Sequence, residues 1–255
     1  MTDYVCDLHI HSCLSPCGDE DMTPGNIAGM ASLNGLMLIA LTDHNTSKNC
    51  PAFFSQAKQY GIVPVAGMEL TTAEDIHVIC LFRTLEDAMD FDAYVAEHRP
   101  KIKNKPDIFG HQYIRDENDE IVSEESYLLI NASDLTLEDA YREVLARGGV
   151  AYPAHIDRPA NGIVAVLGTV PESPPFTAFE LNDGNNEAEY REKYPVVRKL
   201  PRVVSSDAHY LWNISEGGFS IPLDDEPYSS ALVRNRLIDY LLGRTQPGQG
   251  EEDHG

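Results

Sequence analysis

Short, nearly all-apolar runs alternate with helix-like segments along this chain, and that alternation limits the folds open to it. The runs are Val5–Ile10, Leu36–Leu41, Ile62–Met68, Ile76–Phe82, Gly149–Tyr152, Ala178–Leu181 and Val203–Val204. Thr23-Pro24 supplies an N-cap with proline at the first helical position. Thr84-Leu85-Glu86-Asp87 and Thr136-Leu137-Glu138-Asp139 each place an acid three residues after a threonine, close to a capping box. Gly148-Gly149 ends the second of these helices. Strands this apolar are buried on both faces, and strands separated by helices pair in parallel. The pattern predicts an α/β fold with a parallel sheet, open and doubly wound or closed into a barrel.

One stretch, Lys101–Asp134, breaks the rhythm. It is polar, and Asp116-Glu117-Asn118-Asp119 reads as a turn between Gln112–Arg115 and Glu120–Val122, a hairpin insertion. The final residues, 245–255, are rich in Gly, Gln and Glu without an apolar pattern and are expected to be disordered. The remainder, 1–244, is long enough for one domain. No run of 18 apolar residues is present, so no transmembrane helix is expected. The N-terminus has no basic region followed by an apolar stretch, so no signal peptide is expected. The five cysteines, Cys6, Cys13, Cys17, Cys50 and Cys80, are odd in number, and two lie in apolar runs. They read as reduced thiols in a cytoplasmic protein.

The formal charge is −22. Such a surface repels phosphate backbones, so no nucleic-acid polymer is expected as partner, and without an apolar run of spanning length no membrane is expected either. A small anionic phosphorylated substrate would have to be drawn in locally, by bound metal.

Metal-type residues gather at the strand ends. His9-x-His11 closes the first run, and residues two apart on a strand project to the same face. Thr42-Asp43-His44 follows the second run and Gly67-Met68-Glu69 ends the third. His77 opens the fourth, Pro153-Ala154-His155 follows the fifth, and Asp207-Ala208-His209 comes after the last. In parallel α/β folds the carboxyl ends of the strands share one face, where active sites form. Each residue has an ordinary alternative. His44 fits a loop, His77 a half-buried strand start, Glu69 a solvated strand end and Asp207 a helix cap. Asp43 reads as a residue that orients a neighbour. His98 fits a helix C-terminus and His254 lies in the tail. His111 reads as a surface-loop residue, with substrate contact the lesser alternative. Asn182 fits a pocket wall or a cap equally well.

As an ordered series, these motifs resemble the PHP family, the polymerase and histidinol phosphatase domain, from Asp7 to about His209. The resemblance implies a distorted (β/α)7 TIM-like barrel with two or three divalent ions (Zn, Mn or Fe) at its mouth. It implies that His9, His11, Glu69 and Asp207 hold one metal, and that Glu69 bridges to a second completed by His77 and His155. His44 and His209 would hold a third with one more residue. There this chain departs from the family's Asp-Gly pattern. Counting back from Thr23-Pro24 selects Asp19, and counting forward from His11 selects Cys17. Asp19 is preferred because a hard oxygen ligand suits more of the candidate metals. The implied activity is phosphomonoester or phosphodiester hydrolysis of a small metabolite or nucleotide by a metal-bridging hydroxide. Glu69 and Asp207 would shape the reacting centre. Arg158 stands on the same mouth as a phosphate clamp, or equally pairs with Asp157 or another acid. His209 is placed with the metal and not as the acid for the leaving group. An amidohydrolase-like C–N hydrolase is the enzyme alternative, weakened because no lysine, Lys48 and Lys58 included, sits at a strand end. A non-catalytic metal-binding or regulatory module is the other.

Overall fold

The computed structural model describes residues 1–244; the predicted disordered tail lies outside them. Its strands are β1 (Thr2–Ile10), β2 (Leu38–Leu41), β3 (Val63–Thr71), β4 (His77–Phe82), β5 (Tyr113–Arg115), β6 (Ile121–Glu124), β7 (Val150–Pro153), β8 (Phe179–Leu181), β9 (Arg202–Val204) and β10 (Ser220–Leu223). Its helices are α1 (Pro24–Leu33), α2 (Cys50–Gln59), α3 (Leu85–His98), α4 (Pro106–Phe109), α5 (Leu137–Ala146), α6 (Ile163–Leu167), α7 (Glu187–Lys193) and α8 (Ser230–Leu241). The threonines act as the sequence suggests. Thr23 and Thr84 each accept a backbone N–H in the first turn, and Thr136 forms a full capping box with Asp139.

Six strands make a curled half-barrel sheet in the order β10-β1-β2-β3-β4-β7. The pairs β1–β2 and β2–β3 are parallel, but β4 runs antiparallel to both β3 and β7. The expectation of a parallel sheet therefore fails at β4. Its cause is the connection Thr72–Ile76, far shorter than the dozen or so residues that a parallel crossover needs. The described residues also do not form a (β/α)7 barrel closed by continuous ladders. β8 and β9 make a separate parallel pair. β8 adjoins β7 through the Ile156 N–H to Glu180 carbonyl bond (2.9 Å), and the chain after β9 meets β1 through His11 N–H to Ala208 O (3.0 Å).

Side-chain alternation covers both sheet faces. Tyr4, Cys6, Leu8, Leu38, Val65, Ile79 and Tyr152 pack with Val233, Leu237 and Leu241 of α8. Ile39, Leu41, Met68, Val78 and Phe82 pack against Ile27 of α1, Phe53 of α2, Phe91 of α3 and Val144 of α5. The hairpin β5–β6 is pinned beside the sheet. Its turn residue Asp119 accepts from Gly25 N and Thr23 Oγ1, bracing the start of α1, and Asn49 bonds Tyr113 O and Arg115 N.

Candidate metal centre

The sheet brings the motifs together because β1, β2 and β3 end on one side and the antiparallel β4 begins there. Register pairs Thr71 with His77 and Glu69 with Ile79. His77 therefore reaches the shared face from the start of its strand, and an isolated bridge lays His44 beside Glu69.

Glu69 is the hub. Its Oε1 lies 2.7 Å from His77 Nδ1, 3.0 Å from His155 Nε2 and 3.3 Å from His9 Nε2. Its Oε2 lies 3.0 Å from His44 Nδ1 and 3.3 Å from His11 Nε2. Asp207 Oδ1 lies 3.3 Å from His9 Nε2 and 3.1 Å from His11 Nε2. Potential donor atoms converge in three overlapping groups: His9, His11, Glu69 and Asp207; His44, Glu69 and His77; and His11, His44 and His209.

Hydrogen bonds behind the cluster fix which ring nitrogen faces inward. His9 Nδ1 is 2.9 Å from Glu180 Oε1 and His11 Nδ1 is 3.0 Å from Ser15 Oγ. With Nδ1–H donating outward, both Nε2 atoms face inward, 3.1 Å apart. Asp43 anchors Ser15 and Ser12 by 2.7 Å bonds, and Ser15 also accepts from His44 N–H. Asp43 thus orients two histidines through one serine, the role read from its position. His209 Nδ1 donates to Asp207 O at 2.8 Å. Asp7, fully buried, accepts from Ser206 N and Ser215 N and ties β1 to the loops that follow β9.

Electrostatics describe a site short of positive charge. Burial would push the Glu69 carboxyl up, yet His77, His9 and His44 hold it well below the usual range. Burial opposes a charged His9, but Glu180, Asp207 and Glu69 raise it well above an ordinary histidine. His11 rises to about 9 against its burial through Asp207 and Glu69. His44 and His209 go the other way, to about 4 and about 3, chiefly through burial. Most telling, His44 Nδ1, Glu69 Oε2 and Asp207 Oδ1 are buried without a hydrogen-bond partner. These atoms lie close together yet are not aligned to bond one another. Buried acceptors so placed can be satisfied by a shared cation, and a mixed imidazole–carboxylate set fits a divalent metal. Two residues of the cluster also carry left-handed backbone, His155 at φ 25° and Asp207 at φ 53°, a strain that functional sites concentrate.

The expected residues do not all converge. None of the three groups includes Asp19 or Cys17. Asp19 turns its carboxylate to Asp21 N at 3.0 Å, while its own N–H donates to His209 O. Cys17 is exposed, and its thiol is pushed up to about 12, first by desolvation and then by the Glu69 and Asp207 carboxylates. Arg158 lines the cleft and pairs with Asp207, not Asp157. Asp157 instead binds Asn182 N, Asp183 N and Asn186 Nδ2. Asn182 reaches the carbonyls of Ser205 and Ser206. His98 bonds Asp134, and His111 bonds Glu124 and stacks on Tyr113. Glu180 and Ser15 are the members that sequence reasoning missed. An acid inside the apolar run Ala178–Leu181 was the available signal for Glu180. Above the cluster lies a cleft of about 140 Å³, lined by His44, Glu69, His77, His155, Arg158 and Asp207 among others.

The profile of the PHP domain matches residues 7–156. The chain belongs to the PHP family. Among curated relatives, a PHP-family chain such as this is 34% identical over 84 residues to an uncharacterized protein of Methanocaldococcus jannaschii, covering 30% of this chain and 48% of that one. It is 36% identical over 74 residues to the error-prone DNA polymerase of Symbiobacterium thermophilum, covering 29% of this chain and 7% of the polymerase. The match thus spans less than half the length of either relative. Two solved structures share the fold at a TM-score of 0.56. One is a putative metal-dependent phosphoesterase of Bifidobacterium adolescentis, 17% identical, covering 80% of this chain and 87% of that one. The other is the lesion-specific endonuclease EndoQ of Pyrococcus furiosus, 19% identical, covering 82% and 49%. An amidohydrolase of Chromobacterium violaceum matches at 0.51 with 20% identity, covering 86% and 92%.

One expectation is corrected by these likenesses. Endonuclease Q has also been solved with a 27-mer duplex carrying an abasic lesion at its active site, a structure that matches this chain at a TM-score of 0.51. The exclusion of nucleic-acid partners drawn from net charge does not stand. Net charge averages over the whole surface, whereas phosphates meet local fields and bound cations. For the membrane, the finding is that no helix among the described residues is long and apolar enough to cross one.

Proposed function

We propose that this PHP-family chain is a metal-dependent phosphoester hydrolase, cleaving a phosphomonoester or phosphodiester of a metabolite or nucleotide. The observation that carries the reading is the set of buried, unpartnered acceptors around Glu69. Three overlapping donor groups support a centre of two or three ions, and their nitrogen and oxygen donors suit Zn, Mn or Fe. His9, His11, Glu69 and Asp207 would hold one ion, and Glu69 with His77 and His155 or His44 a second. His11, His44 and His209 would supply a third, with Cys17 or Asp19 completing it only if the loop after His11 shifts. When bound, such ions polarise a phosphoryl oxygen and bring the pKa of a water toward neutrality.

The protein's own groups do the positioning. Glu180 and Ser15 hold the tautomers of His9 and His11, so both Nε2 atoms stay available. Buried walls keep bulk water from the carboxylates, which strengthens every charge interaction inside. Arg158 is the candidate phosphate clamp. Its guanidinium stands beside Asp207 on the cleft, where it could engage two phosphate oxygens at once. The amidohydrolase-like reading gains no lysine here, since Lys48 pairs with Glu125 and no lysine lines the cleft among the described residues.

The test is phosphate release from monoesters, nucleotides, diesters and an oligonucleotide with an abasic site. A coupled phosphatase in half the wells exposes diester cleavage. Metal-loaded protein is compared with chelated protein and with His155→Ala. Release that needs metal and is lost in His155→Ala is the expected result. No release from any ester by fully metallated protein would sink the reading.

A further inference from the structure

A second site lies away from the metal centre. A cavity of about 560 Å³ opens where α7, β9 and the end of α8 meet. Arg191, Arg198, Lys199 and Arg202 line it, with Glu187 as the one carboxylate in the lining. Four cations less one carboxylate leave +3, in a chain whose 41 acidic residues outnumber its 19 basic ones. Glu187 is already divided, one oxygen 2.8 Å from Arg191 Nε and the other 2.7 Å from Arg202 Nη1. Among the described residues, the Arg198 side chain reaches only the carbonyls of Arg191 and Glu192, by long contacts of 3.4 and 3.5 Å. Lys199 is in no ion pair among the described residues, and both Arg198 and Lys199 are exposed.

A chain with this excess of acid has carboxylates enough to neutralise every cation. Leaving four together costs mutual repulsion that an anion relieves. Guanidinium forks match phosphate oxygens in pairs, and Lys199 adds a mobile point charge. The wall suits the same ligand. Ser220 and Tyr240 offer hydroxyls, and the Arg202 guanidinium carbon stands 5.5 Å over the Phe219 ring centroid. The two cavities share no lining residue. Arg202 opens β9, while Asp207 follows the other end of that strand.

We infer that this cavity is a binding site for a phosphate-bearing anion, separate from the metal centre and independent of what the metal centre hydrolyses. The phosphates come from a phosphorylated small molecule or from a nucleic-acid backbone, which present the same chemistry to the four cations.

Calorimetric titration of the chelator-stripped, full-length chain with tripolyphosphate tests this. The variants are Arg198→Gln/Lys199→Gln and His155→Ala. The site predicts saturable binding to the wild type, weakened about tenfold or more by the double substitution, since two charge-assisted contacts go. It predicts unchanged binding to His155→Ala. The double variant should melt with the wild type, because both side chains are exposed. A parallel titration with a short single-stranded oligonucleotide distinguishes the sources: tighter binding than tripolyphosphate assigns the phosphates to a strand, weaker binding to a small molecule. Binding that ignores the double substitution, or no saturable binding at millimolar tripolyphosphate, overturns the site.

Discussion

Glu69 is a buried carboxylate that stays charged because imidazoles crowd it on every side. Its chemistry depends on residues that never touch the reacting centre. Glu180 holds His9 by Nδ1, leaving Nε2 to face inward. Glu180→Gln keeps the shape but removes the charge, and the expected result is metal affinity about 10- to 100-fold weaker, read by competition with a chromogenic chelator. Unchanged affinity would remove Glu180 from the centre. At this scale the sequence was most legible where one strand delivers two candidate ligands, as in His9-x-His11. It was least legible where a partner comes from a distant strand. Glu180 sits 171 positions from His9, and nothing local marks the pairing. The loop after His11 shows the same limit, since Asp19 and Cys17 are separated only by how Ser12–Asp21 turns.

Elements decide which side of the sheet each ligand reaches. His77 lies in the site because β4 is antiparallel, and the short link Thr72–Ile76 carried that information. The edge strand β10 went unseen because Ser220–Leu223 is brief and contains Pro222, a residue confined to sheet edges. Gly67 sets the spacing of β3 and β4. A Cβ there would meet Cys80 O at 2.5 Å and Leu81 Cδ2 at 2.7 Å. Gly67→Ala is expected to cost about 1–3 kcal/mol of stability, measured by urea unfolding, and to weaken metal binding by displacing Glu69. Thr136→Ala removes a capping box far from the metal. It should cost about 1 kcal/mol in the same assay with metal affinity intact. The insertion has its own acid dependence. Burial would raise the Glu125 carboxyl, but Lys48, the Tyr127 N–H and Arg99 lower it. A depressed folded pKa means stability present above the unfolded carboxylate value and lost as pH falls through the folded one. Glu125→Gln should therefore be less stable than wild type near pH 7, and the gap should close toward pH 3.

At the scale of the whole molecule, the charge of −22 is unevenly spread. It gathers carboxylates at one end of the sheet, where cations are wanted, and leaves a basic cavity beside α7. Composition exposes the excess but not its distribution, which is why net charge does not exclude nucleic acid as a partner. The barrel meets the same limit: strand count and spacing are visible in the sequence, but the hydrogen bonds that would close the sheet are not. Metal should stabilise the folded chain by mass action, about 2.7 kcal/mol at a hundred times the dissociation constant. Thermal melts with and without metal should differ accordingly, and the difference should shrink in His155→Ala, which loses one ligand of one ion.

The central claim is that Glu69 is shared between cations, and counting metal tests it most directly. Bound Zn, Mn and Fe would be measured per chain by elemental analysis after equilibrium dialysis, for the wild type and for Glu69→Gln. Two or more ions are expected on the wild type and at most one on the variant. A wild type that holds none, or a variant that keeps the full complement, would contradict it.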